Sequence, residues 1–129
     1  MHNDSSTWPE LKKVYESWVT HGGNELSGAA IGQAMYAIDP DRTMSDLSSQ
    51  LDPRYEKLQR TCIALAAIGT IADARFLKCL DSFRAAAKGS LFEQHGHYKK
   101  FVDFAEHRCM GIHKSKLIKT PDGTYVIQQ

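Results

Sequence analysis

An arginine and a histidine near the C-terminal end are the residues whose types and spacing could do chemistry. Arg108 and His113 are five positions apart. An imidazole exchanges a proton near neutral pH, and a guanidinium stabilises developing negative charge. The two side chains are therefore the minimum set for metal-free cleavage of a phosphodiester. The spacing alone is common, so the surrounding elements decide whether the pair has a function.

Charge is distributed unevenly along the chain. Residues 1–83 contain eight Lys or Arg and eleven Asp or Glu, which gives a net charge of −3. Residues 84–119 contain eight Lys or Arg and three Asp or Glu, which gives a net charge of +5. A basic segment favours an anionic partner such as RNA, although a solvated helix face has the same composition. The predicted RNA-binding residues near the pair are Lys99, Lys100, Lys114 and Lys116.

Most aromatic residues recur at helical spacing, which core packing explains. Stacking on bases would need exposed aromatic rings among basic residues. Tyr98, which directly precedes Lys99 and Lys100, is the aromatic residue whose position suggests such a contact.

Composition is that of an ordinary globular domain. The chain has 129 residues, of which 42% are hydrophobic and 24% are charged, enough for one domain with its own core. No apolar run approaches the ~18 residues of a membrane helix, and the N-terminus has no secretory signal. Three widely spaced cysteines indicate reduced thiols. We therefore expect a cytoplasmic protein that does not contact a membrane.

Apolar periodicity predicts a mostly α fold, a single helical domain over residues 1–129 with five or six helices in a bundle. Residues 1–6 are expected to be a flexible N-terminus, and residues 115–129 a hairpin or tail. Two β-prone segments, Lys116–Lys119 and Thr124–Ile127, flank a Pro-Asp-Gly sequence that favours a turn. A small C-terminal β-hairpin is therefore predicted.

Capping signals predict where the first helices begin and end. Thr7 begins a capping-box signature for the first helix. Asn24 can cap a second helix, and the Asp39-Pro40 pair stops it because the residue before proline disfavours helical backbone. A short helical turn then follows, with Thr43 or Ser45 as its N-cap.

The longest helical pattern runs from Pro53 to Lys88. About 36 uninterrupted residues exceed the usual length of a globular helix, so we expect two helices or a sharp bend near Gly69. One continuous helix is the main alternative. A last helix is predicted from His97 to about His113.

The stretch around Arg108 and His113, followed by the predicted hairpin, resembles HEPN-type domains. These are small all-helical modules of prokaryotic defence and toxin–antitoxin systems. Their signature is Arg-x4–6-His at the start of the last helix, and some members carry a β-hairpin directly after the histidine. The resemblance covers the general helical layout, and only residues 101–127 carry specific similarity.

The resemblance implies a metal-independent endoribonuclease that uses no cofactor and pairs as a homodimer. In this interpretation His113 moves the proton and Arg108 holds the scissile phosphate. The ribose 2′-hydroxyl would be the nucleophile, which limits the substrate to RNA.

Two residues depart from the family pattern. Cys109 stands where a polar residue is usual, and Gly111 weakens a helix at this point. Both changes suit a relative that has kept the scaffold without the activity, and they also suit a chance match. The alternative function is therefore a non-catalytic helical interaction protein with a protein partner, such as an antitoxin, an inhibitor or a small subunit of a nucleoprotein complex.

Histidines and a cysteine near the pair are a second candidate group. His95, His97, His107, Cys109 and His113 are all of residue types that bind metals. His95 and His97, however, are two positions apart, which does not align them on one helix face, and no CxxC or HxxxH pair is present. We therefore predict no metal site.

Overall fold

A computed structural model describes residues 7–112, 116–123 and 125–128, in which there are seven α-helices and one antiparallel hairpin. This confirms the predicted mostly α fold, a single compact domain. The predicted flexible segment at residues 1–6 lies outside the described residues. The helices are α1 Trp8–Thr20, α2 Glu25–Ile38, α3 Pro40–Ser49, α4 Leu58–Ile71, α5 Leu77–Ala86, α6 Leu91–Gln94 and α7 Gly96–Cys109.

Helix α4 is the centre of the bundle. Every residue from Thr61 to Gly69 is buried, so the helix is covered on all sides. A helix that is apolar all round must lie inside its domain, and α2 and α7 provide most of the cover. Within the described ranges, no helix combines the length and the apolar character that crossing a membrane requires.

Two glycines allow α2 to approach α4 closely. A methyl group added at Gly28 would lie 2.6 Å from Cγ2 of Ile63, and one added at Gly32 would lie 2.9 Å from Cβ of Ala67. The glycines therefore occupy the contact face of α2. The larger Leu26 of the same helix is 40% exposed.

Helices α1 and α2 both begin where predicted, but only α2 has the predicted side-chain N-cap. The side chain of Asn24 accepts a hydrogen bond from the backbone N–H of Ser27 at 2.8 Å, which is the expected N-cap. Helix α1 begins at Trp8, but the side chain of Thr7 makes no capping hydrogen bond to it. The bond that the Thr7 side chain would contribute to the predicted capping box is therefore absent.

Helix α3 begins earlier than predicted. Pro40 is its first residue, and Asp39 is the N-cap through a 3.2 Å bond from the backbone N–H of Arg42. The prediction of Thr43 or Ser45 as the cap was wrong, because both residues lie inside the helix. The hydroxyl of Thr43 accepts instead from Nε1 of Trp8 at 2.8 Å in the core.

The region from 53 to 88 contains two α-helices, as predicted, but the break is not at Gly69. Single turns of 3₁₀ helix at Tyr55–Lys57 and Ala74–Phe76 precede α4 and α5. Helix α4 ends at Ile71, and its C-cap Ala72 has a φ of 60°, in the left-handed region. Gly69 stays inside α4 because its missing side chain makes room for the ring of Phe104.

The last helix ends at Cys109, so the prediction that it continues to about His113 was wrong. Gly111 has a φ of +93°, which a glycine adopts without steric cost. Its N–H donates to the carbonyl of Arg108 at 3.1 Å, and the N–H of Ile112 donates to the carbonyl of His107 at 2.9 Å. This pair of bonds is a Schellman motif, which terminates helices.

The predicted C-terminal hairpin is present. Strands β1 (Lys116–Lys119) and β2 (Tyr125–Gln128) pair antiparallel, with Leu117 opposite Ile127. Both of these side chains pack against the core, and Leu117 is only 7% exposed. The hairpin contacts α7, so it folds back onto the helix that precedes it.

Candidate functional site

Arg108 lies next to last in α7 and reaches the C-terminal end of α4. Its Nε donates a hydrogen bond to the carbonyl oxygen of Gly69 at 3.0 Å. The last carbonyls of a helix lack intrahelical partners, and a cation there is favoured by the helix dipole. Arg108 therefore has a structural role in capping α4, whatever else its guanidinium does.

Cys109 makes the adjacent contact with α4. Its Sγ donates to the carbonyl oxygen of Ile68 at 3.8 Å, and the residue is 3% exposed. Burial raises the pKa of Cys109 to about 12, so the thiol is neutral at physiological pH. Packing against α4 accounts for a small, weakly polar residue at this position.

The geometry of the Arg108–His113 pair stays a prediction, because His113 lies outside the described residues. Helix α7 ends at Cys109, one residue after Arg108, and Gly111 has a positive φ. In the HEPN pattern the motif opens the last helix, whereas Arg108 is at its end. The neighbouring His107 has a buried Nδ1 without a hydrogen-bond partner among the described residues.

The two carboxylates of α7 are held by an arginine of α5. Nη2 of Arg84 donates to Oδ1 of Asp103 at 2.7 Å, and its Nε donates to Oε1 of Glu106 at 2.7 Å. These bonds, chiefly that with Glu106, raise the pKa of the Arg84 guanidinium. Glu106 is therefore directed toward α5.

The predicted RNA-binding lysines are distributed over α7 and β1. Lys99 is exposed and Lys100 half-buried on α7, and Lys116 is exposed at the start of β1. None of these three forms an ion pair within the described ranges. Lys114 lies outside those ranges.

In the acidic part of the chain, between residues 7 and 83, several Lys and Arg side chains contact carboxylates or an aromatic ring. Arg60 pairs with Glu16 at 2.6 Å, and this contact, together with that of Lys12, lowers the pKa of Glu16 to about 2. Arg42 instead lies over the ring of Trp8, 4.1 Å from its centroid. The other ion pairs between residues 7 and 83 are Lys12 with Glu16 and Asp46, Arg54 with Asp52, and Arg75 with Asp41 and Asp73.

Three aromatic rings meet at the start of α7. The ring centroid of Tyr98 lies 5.3 Å from that of His95 and 5.0 Å from that of His97, and the two imidazoles are 6.4 Å apart. The sequence analysis considered the histidines only as candidate metal ligands, predicted no metal site, and considered Tyr98 separately, so it did not identify the cluster. In the part of the chain that is described, no three His, Cys, Asp or Glu side chains are grouped as a metal site.

A cleft of about 370 Å³ lies between α5, α6 and α7. Phe83, Phe92 and Val102 are among its apolar lining residues, and Arg84 and Lys88 among its basic ones. Arg108 does not line this cleft, so the predicted catalytic residue and the cleft are separate features.

Comparison with known proteins does not assign the chain to a family. No protein-family model, curated protein or solved structure matches it. The resemblance to HEPN-type domains therefore stays a prediction.

Proposed function

We propose that this protein binds RNA through a basic surface formed by α7 and β1. The observation that carries the proposal is the separation of charge on α7. Arg84 directs Asp103 and Glu106 toward α5, whereas Lys99 and Lys100 have no ion-pair partner among the described residues. Cations that are not already paired are the ones that can replace the counterions of a phosphate backbone.

The contrast with the rest of the chain supports this location. Between residues 7 and 83, four of the eight Lys and Arg side chains, those of Lys12, Arg54, Arg60 and Arg75, pair with carboxylates of the same region. Those cations are partly neutralised, and the region carries a net negative charge. An RNA strand would therefore be attracted to the C-terminal third.

Cleavage of the bound RNA is the more specific form of the proposal. The resemblance to HEPN-type domains implies it, with Arg108 at the scissile phosphate, His113 as the proton carrier and a second copy completing a homodimer. A function in prokaryotic defence or a toxin–antitoxin system would follow. The hydrogen bond from Nε of Arg108 to Gly69 limits how its guanidinium can approach a phosphate.

Binding is tested by fluorescence anisotropy with a labelled single-stranded RNA between 50 and 200 mM salt. The double variant Lys99→Gln/Lys100→Gln should bind more weakly, and the slope of log K against log salt should become shallower by about 1.4, or 0.7 per lost phosphate contact. The control is Lys13→Gln/Lys57→Gln, which removes two exposed lysines of the acidic region. Equal effects of the two variants would contradict the proposed surface.

Cleavage is tested with the same RNA in EDTA. A nuclease that uses the predicted pair should cut without metal, and His113→Ala should abolish cutting. Cutting that survives this substitution would exclude the pair as the active site. Binding without cutting would favour the non-catalytic function, and no affinity at low salt would leave a protein partner as the better explanation.

A further inference from the structure

We propose that the cluster of His95, His97 and Tyr98 is a stacking platform for the bases of single-stranded RNA. The proposal rests on the RNA binding proposed above, and it specifies the kind of strand and the part of the nucleotide that is bound. It concerns the start of α7. Arg108, ten residues further along the helix, is about 15 Å away at 1.5 Å per residue.

Buried aromatic residues of the core pack against the cluster. The ring of Tyr98 packs against Phe92 at 5.8 Å, and His97 packs against Phe101 at 6.0 Å. Phe92 and Phe101 are buried, whereas His95 is exposed and the other two cluster rings are half-buried. The rings are thus packed against the core, and the most exposed of them is that of His95. Such side chains lose little conformational entropy when a ligand binds.

Backbone contacts orient the exposed imidazole. Nδ1 of His95 accepts a hydrogen bond from the N–H of His97 at 3.2 Å, so that this ring is the N-cap of α7. The carbonyl of His95 also accepts from the N–H groups of Tyr98 at 3.1 Å and Lys99 at 3.0 Å. The ring is therefore held by its own helix even without ligand.

The two lysines that follow the cluster provide positive charge for contacts with phosphates. Lys99 and Lys100 can contact phosphates on either side of a stacked base, and aromatic rings beside a basic track are typical of single-strand binding. A duplex would not fit this arrangement, because its bases are already stacked on one another. Tyr55 is also exposed, at 77%, but the adjacent Arg54 is paired with Asp52.

The test uses a single-stranded RNA that carries 2-aminopurine, whose fluorescence falls when the base stacks, and a hairpin duplex of equal length. Wild-type protein should quench the probe and prefer the single strand. Tyr98→Leu should bind it about 5- to 150-fold more weakly with an unchanged salt slope, whereas Tyr98→Phe should retain its affinity. Tyr55→Leu is the matched control and should bind as wild type.

His95→Asn provides a second variant that does not rely on the packing of Tyr98. Asparagine is a good N-cap, so α7 should keep its start while the ring is lost. This variant should also bind the single-stranded RNA more weakly and quench the 2-aminopurine fluorescence less. If Tyr98→Leu fails to fold, His95→Asn tests the platform in its place.

The outcomes separate the platform from RNA binding itself. Salt-dependent binding with no quenching, with equal affinity for the duplex, or with no effect of Tyr98→Leu and His95→Asn would refute the platform and leave RNA binding in place. Absence of binding to either RNA at low salt would overturn both proposals.

Discussion

The contact between Gly69 of α4 and Phe104 of α7 provides a direct test of how the two helices are held together. Gly69 is buried in the middle of the bundle, and Arg108 bonds to its carbonyl oxygen. A methyl group at Gly69 would lie 2.3 Å from Cε2 of Phe104. Gly69→Ala is therefore the smallest substitution that forces α4 and α7 apart.

Two opposing effects determine the size of the change. Alanine is better than glycine in a helix interior by about 0.8–1.0 kcal/mol. Overpacking of a core costs about 1–3 kcal/mol. The Phe104 ring must move by more than 1 Å to reach an ordinary contact of 3.4 Å or longer, and at 5% exposure it cannot turn into solvent. A shift of this size puts the overpacking cost in the upper part of its range, at about 2–3 kcal/mol. We therefore expect a net loss of about 1–2 kcal/mol, or roughly 3–8 °C in Tm.

Urea unfolding followed by circular dichroism measures this change, and Gly96→Ala is the matched control. Gly96 is the first residue of α7, and a methyl group there meets nothing within 4 Å. That variant should be neutral or more stable by up to about 1 kcal/mol. Adding Phe104→Leu to Gly69→Ala should cost less than the sum of the two single substitutions. If Gly69→Ala were as stable as Gly96→Ala, the close packing of α4 on α7 would be refuted.

Three further predictions concern other contacts. Thr43→Val should lower the free energy of unfolding by about 1–3 kcal/mol, because it leaves Nε1 of the buried Trp8 without its acceptor, and Thr43→Ser should lose less in the same urea assay. Arg60 and, to a smaller extent, Lys12 lower the pKa of Glu16 from 4.5 to about 2, so the stability from these contacts is complete above pH 4.5 and is lost as the pH falls through 2. Glu16→Gln should therefore flatten the stability profile in that range; at 37% exposure of Glu16 the effect is at most about 1 kcal/mol, and an unchanged profile would contradict it. Cys109 should resist thiol reagents at pH 8 until the protein unfolds, since burial raises its pKa to about 12, and labelling of the folded protein would show that the thiol is accessible.

Features that depend on a few neighbouring residues were predictable from the sequence. Asn24 caps α2 through a residue three positions away, and the Pro-Asp-Gly turn joins two strands that are adjacent in the chain. Helical periodicity likewise predicted most of the helices. The prediction of the α3 N-cap failed because two nearby residues, Asp39 and Thr43, are both of types that cap helices. Only Asp39 acts as the cap.

The candidate site was predictable as a set of residue types and not as an arrangement. The sequence indicated a basic C-terminal third, and Arg108 and the lysines as its candidate residues. It did not indicate that Arg108 caps α4, that Arg84 holds both carboxylates of α7, or that His95 and Tyr98 share a cluster. Each of these depends on how helices pack side by side or on how the chain turns between α6 and α7.

The sequence by itself determined the mostly α fold, the hairpin and the uneven charge, because periodicity, turn residues and composition act over short distances along the chain. Only the tertiary structure decided which residues that are distant in the sequence contact one another. Arg108 meets Gly69 across 39 positions, and Arg84 meets Glu106 across 22. Such contacts follow from the packing of whole helices side by side, and glycines that weaken an isolated helix fit at these contacts because they let a neighbouring helix approach.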